Sequence, residues 1–157
     1  MDRSIDVFFG AATRGSIYGE DRNLIRQRLS EMLHEEGFDT EFYNRKYIFG
    51  DYVDVLNLSK IAISSNSKFG FITKRIFEIM ACGPLLLTDK CEEFDMLDLE
   101  DGKHMVVYND IDDLREKIYY YLANDFRREE IALDGCDFVT GRFSTRNAVY
   151  NLMEILY

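Results

Sequence analysis

The sequence is short of proline, of cysteine and of positive charge. It has one proline and three cysteines in 157 residues. Its 19 Lys and Arg are outnumbered by 29 Asp and Glu, for a formal net charge of -10. A single proline, ordinary apolar content and plentiful aromatics exclude a disordered chain. Cys82, Cys91 and Cys136 are odd in number and lack metal-type spacing. Reduced thiols in a cytoplasmic protein are the simplest reading, with no metal site expected. The acidic balance argues against general nucleic-acid binding, which needs Lys and Arg to displace counterions. It is compatible with a local cationic pocket for a small anion. No apolar run approaches the ~20 residues that span a bilayer. The start, "MDRSIDVFFGAATRG", has no basic stretch ahead of a long apolar core, so neither a membrane span nor a signal peptide is expected.

What is present is alternation. "IDVFFGA" (Ile5–Ala11) reads as a buried strand. A helix follows, with Leu24, Ile25, Leu29, Met32 and Leu33 at helical spacing, Asp21 as N-cap and Gly37 as C-terminal stop. "DTEFYN" alternates like a strand, "GDYVDVLNLSK" has helical spacing, and "IAISS" (Ile61–Ser65) is strand-like again. A loop, "NSKFGF", leads into a helix from about Thr73. Then come the strand "PLLLTD", a short helix "EEFDML" and the strand "HMVVYN". Helices are predicted over Ile111–Asn124, from Phe126 to about Val139, and from Ser144 onward.

Short strands without polar centres, alternating with helices, belong to a parallel sheet covered on both faces. The expected fold is α/β: a single Rossmann-like domain over residues 1–157, with a doubly wound parallel sheet of about five strands and helices on both faces. Ligands of such sheets lie beyond the carboxyl ends of the strands. The loops after Phe9, Ser64, Thr88 and Val107 are therefore the ones to watch.

"KRIFEIMACGPLLLTD" (Lys74–Asp89) opens at that edge. A helix start offers unbonded N–H groups and partial positive charge, both suited to phosphate. Lys74 and Arg75 in the first turn oppose the helix dipole, which makes sense if an anion sits nearby. Glu78, one turn on, has the acceptors for two adjacent ribose hydroxyls. A plain alternative stands beside this: a solvated face in which Lys74 and Glu78 form an i,i+4 pair worth ~0.2–0.5 kcal/mol.

"RIFEIMACGPLLLTD" and the downstream "DGKHMVVYNDIDDLREKIYYYLANDFRREEIALDG" resemble the carboxyl-terminal half of GT-B glycosyltransferases of the group-1-like families. The likeness runs from about Asp51 to Tyr157. It is looser toward the amino terminus, where Tyr18 and Arg22 match the family's Tyr and Arg before the first helix. The resemblance implies a donor-binding domain for a nucleotide-diphosphate sugar, UDP- or GDP-linked. Glu78 would contact ribose. Arg75, Lys74 and Arg14 would contact the diphosphate, and Thr73 at the helix start and Gly10 after the first strand would be further nucleotide-sugar-binding positions. No metal or other cofactor is implied, the nucleotide-sugar being substrate.

The family's Glu-x7-Glu motif is incomplete, because Gly70 stands where its first glutamate would fall. The family also has two such domains, so a second domain or a partner chain is expected to supply the acceptor half and catalytic residues. The rival reading is a non-catalytic Rossmann-like nucleotide-binding or assembly module. A flavodoxin-like enzyme is a weaker third, lacking a phosphate loop.

Other residues read more plainly. His34 suits a helix C-terminus. His104 is expected beside the ligand edge, as a structural residue or a general base. Glu92 and Glu93 start a helix near the donor sugar or merely face water. Ser64, Ser65, Asn66 and Ser67 line a pocket or turn the chain. Tyr119–Tyr121 predict helix packing with one ring exposed.

Overall fold

The computed structural model describes residues 3–10, 20–42, 49–66, 70–144 and 147, without the side chains of 20–26, 42 and 49. Five strands pair there in one all-parallel sheet: β1 (Ile5–Phe9), β2 (Thr40–Phe42), β3 (Ser59–Ile63), β4 (Leu85–Asp89) and β5 (Val106–Tyr108). The spatial order is β2-β1-β3-β4-β5. The order reverses between β1 and β3, which makes that crevice the topological switch point.

Strand alternation splits the core in two. Val7, Phe9, Ile61, Ile63, Leu85, Leu87, Val106 and Tyr108 point to one face. They pack against Leu29 and Leu33 of α1 (Glu20–Glu35) and Leu114 and Ile118 of α5 (Ile111–Ala123). Phe8, Ala62 and Leu86 point to the other. There they meet Leu56 of α2 (Phe49–Leu58), Ile76, Ile79 and Met80 of α3 (Lys74–Cys82), and Phe94 of α4 (Glu93–Met96). The last described helix, α6 (Asp125–Phe143), serves both: Ile131 and Ala132 join the first core and Val139 the second. Among the described residues, no helix is long and apolar enough to cross a membrane.

The helix stops follow local chemistry. Gly37 has φ 93° and donates to the His34 carbonyl at 3.0 Å, while Phe38 N–H donates to Leu33 O at 3.0 Å. This is a Schellman ending. Gly83, φ 87°, closes α3 by donating to Ile79 O and Met80 O. Pro84 has no N–H to continue the helix. Asp110 caps α5, accepting from Asp113 N–H at 2.9 Å.

Several boundaries differ from expectation. α1 already includes Glu20, so Asp21 lies inside the helix and is not its N-cap. α2 stops at Leu58, and β3 begins with Ser59 and Lys60. Ser59 Oγ donates to Val55 O at 2.7 Å, and Lys60 Nζ pairs with Asp6 at 2.6 Å. Partners of this kind let polar residues open a buried strand. α6 runs past Val139, where Arg142 pairs with Asp98 at 2.6 Å and the Phe143 ring lies tilted 5.1 Å from Phe77. Ser144 accepts from Asn147 N–H at 3.3 Å, as a cap would. The remainder of the predicted last helix lies outside the described residues.

Candidate functional site at the carboxyl edge of the sheet

β1, β3 and β4 end together at the carboxyl edge, and α3 starts there. Gly10 follows β1 directly. Its N–H donates to Ile63 O at 2.8 Å, locking it against the end of β3. A Cβ at this position would lie 2.9 Å from that oxygen and 3.3 Å from Arg75 Cδ. The Ile63 carbonyl therefore requires glycine here, and the Arg75 side chain packs over it. Arg75 and Ile79, one turn apart on α3, share the face that covers Gly10.

The start of α3 has an extended residue, Thr73 (φ -96°, ψ 149°), with no side-chain capping bond. The Thr73 side chain thus caps none of the first-turn N–H groups, and two cationic residues stand beside them. Lys74 reaches Glu78 at 3.5 Å, with side chains 90% and 38% exposed. The i,i+4 pair is real, and at that exposure it contributes little to stability.

The loop into α3 is tethered from β4 and α4. Glu93 accepts from Ile72 N–H at 2.7 Å, and the Cys91 thiol donates to Gly70 O at 2.8 Å. Glu93 therefore holds the loop in place and is not a solvated helix start. Burial pushes the Cys91 thiol up, and the acids around it, Glu93, Asp89 and Glu92, add to this, against one backbone hydrogen bond. It is an inert thiol, not an activated nucleophile. Asn66 bridges the ends of β3 and β4: its N–H donates to Asp89 Oδ1 at 2.8 Å and its amide to Asp89 O at 2.7 Å.

Gly10, Thr73, Lys74, Arg75 and Glu78 thus share one edge. Arg14 and Tyr18 lie outside the described residues, as does the side chain of Arg22. His104 is not at this edge. It precedes β5, whose Val106 pairs with Leu87 of β4, and so belongs to the opposite, amino edge. There it is buried, stacks on Phe138 at 4.2 Å, and its Nδ1 accepts from Glu100 N–H at 3.1 Å. The ring is a structural element. His34 is exposed in the last turn of α1. Tyr120 is the exposed ring of its trio, while Tyr119 packs edge-on against Phe38.

Arg3 escaped sequence reasoning. Its guanidinium donates to the carbonyls of Leu56, Asn57, Ser59 and Gly83, joining the C-terminal ends of α2 and α3 at the amino edge. Only the presence of an arginine beside the first strand hinted at it.

The glycosyl transferase-like family matches residues 9–154. The chain belongs to that family. Its fold is similar to that of HepE from Anabaena, solved with UDP-glucose: TM-score 0.71, 15% identity, 97% of this chain and 48% of that one. TarM from S. aureus, solved with UDP among its ligands, superimposes with TM-score 0.70 at 12% identity, over 98% of this chain and 36% of that one. Sucrose-phosphate synthase from Thermosynechococcus elongatus gives 0.65 at 16% identity, over 96% and 37%. The chain spans about half the length of HepE and little more than a third of the other two. No curated protein matches the sequence. The resemblance to GT-B glycosyltransferases is borne out in family and in fold.

Proposed function

We propose that the carboxyl edge binds the nucleoside diphosphate of a UDP- or GDP-linked sugar, as the donor-binding half of a glycosyltransferase. Arg75 and Lys74 bind the diphosphate with the N–H groups after Thr73, and Glu78 takes the ribose hydroxyls. Gly10, and Arg14 from the first loop, complete the diphosphate side. The observation that carries this reading is the seat of Arg75 over Gly10, where a Cβ would collide. A guanidinium there can stabilise the charge that develops on the leaving diphosphate. The scheme calls for no metal or other cofactor.

A second domain or a partner chain supplies the acceptor site, because positioning the second substrate is a large share of the rate. The described residues fit a cytoplasmic setting, since all three cysteines are free thiols. The non-catalytic binding or assembly module is the second reading. It is favoured by the Lys74–Glu78 contact, which gives Glu78 a partner with no ligand present.

Calorimetric titration with UDP, GDP, ADP and their sugar conjugates separates the two. Saturable binding of one nucleotide is expected, weakened at least about tenfold by Arg75→Ala and by Glu78→Ala, which corresponds to about 1.4 kcal/mol or more. Absence of binding by every nucleotide at millimolar concentration would sink the donor-site reading.

A further inference from the structure

Two buried polar atoms have no hydrogen-bond partner where β3 leaves the sheet. They are Ser64 Oγ and Asn66 Oδ1. Ser64 is 1% exposed and Asn66 7%. Neither residue is loosely held. Ser64 N–H donates to Leu87 O at 3.0 Å, so its backbone still belongs to the sheet. Asn66 has all its donors engaged by Asp89: the N–H at 2.8 Å, and the side-chain amide at 2.7 Å to Asp89 O and 3.0 Å to Oδ1. Its carbonyl oxygen alone is left over. A buried acceptor without a donor carries the full desolvation penalty of that group, so two orphans at one strand end need a donor from outside the chain, a water or the hydroxyl of a ligand that displaces it.

Their place is the candidate site. Phe9 pairs with Ile63, so Gly10 and Ser64 are the next neighbours across the switch point. Phe8 and Ala62 face the α3 side of the sheet, and Gly10 and Ser64 lie two residues further on. Both therefore sit under the first turn of α3, where Arg75 crosses Gly10.

The chemistry is selective. Asn66 Oδ1 can only accept. The Asp89 carboxylate beside it also disfavours a second anion. A phosphate oxygen is thus the wrong partner, and a hydroxyl is the right one. A hydroxyl can donate its one proton to Asn66 Oδ1 and accept from the Ser64 hydroxyl. Given the nucleotide-sugar reading above, on which this rests, diphosphate and ribose already have their partners, and the remaining hydroxyls are those of the transferred sugar. We propose that Ser64 and Asn66 bind a hydroxyl of the donor sugar ring and so help to select the sugar, with Asp89 as the positioning residue that aims Asn66.

The test compares bare nucleotide with conjugate in the full chain: UDP against UDP-glucose, and GDP against GDP-mannose, by calorimetry. The wild type binds one conjugate more tightly than its nucleotide. Ser64→Ala and Asn66→Ala each shrink that advantage at least about fivefold and leave the bare nucleotide within about twofold, the scale of one hydrogen bond. Ligand-free Ser64→Ala melts no lower than wild type, because it removes an orphan group. If Asn66→Ala fails to fold, Ser64→Ala alone decides. An unchanged advantage in Ser64→Ala overturns the proposal. So does equal weakening of nucleotide and conjugate, a wild type with no advantage to lose, or a Ser64→Ala protein that melts well below wild type. A wild type that binds no nucleotide removes the donor-site reading itself, and this inference with it.

Discussion

His104 shows how burial, more than any one neighbour, sets a residue's chemistry. Burial holds its imidazole below the ordinary value near 6.5, and the Lys103 ammonium adds to this, while Glu100 and Asp134 act the other way. The unfolded chain therefore takes up its proton first as the pH falls. The stability linked to His104 is present in full above the unfolded value and is lost below it. Melting temperature is expected to fall between pH 7.5 and 5.5, and His104→Asn, which keeps an acceptor for Glu100 N–H, should flatten that slope. An unchanged slope in the variant would show that other groups carry the effect. The residue types at the carboxyl edge were legible in the sequence, since two cations in a first helical turn are poorly placed for stability. The meeting of Arg75 with Gly10 was not, because it depends on β1 and β3 lying side by side. Nor was the Asn66–Asp89 bridge, which joins residues 23 positions apart.

At the scale of elements, helix ends were legible where a single residue decides them. Gly37, Gly83 and Asp110 each satisfy groups of their own helix. Ends decided by distant partners were not. The start of β3 depends on Asp6, and the last turn of α6 on Asp98 and Phe77. The same contrast predicts mutational costs. Asp110→Ala removes one cap and should cost about 1 kcal/mol. Gly135→Ala is different. A Cβ on Gly135 would lie 2.2 Å from the His104 carbonyl oxygen, so α6 would have to lift off the chain that enters β5. A cost of about 3 kcal/mol or more is expected, since backbone cannot give way like a side-chain tip. Urea midpoints of the two variants compare them directly, and near-equal losses would contradict the close packing of α6.

For the whole molecule, alternation of strand and helix was enough to predict a parallel sheet covered on both faces. The strand order was not legible, because connection lengths do not say on which side β2 pairs. Both cores share α6, through Ile131 and Ala132 on one side and Val139 on the other. One cooperative transition is therefore expected. Urea curves from far-ultraviolet circular dichroism and from tyrosine fluorescence should coincide, and separate midpoints would mean that the faces open independently. The seat of Gly135 has one more consequence. In a library of random variants selected for function, position 135 would tolerate almost nothing, as little as Arg75 at the candidate site. Ranked from the least tolerant, a residue packed against the chain that enters β5 would stand level with the candidate site. Intolerance in this fold would trace the tightest backbone approach as well as that site.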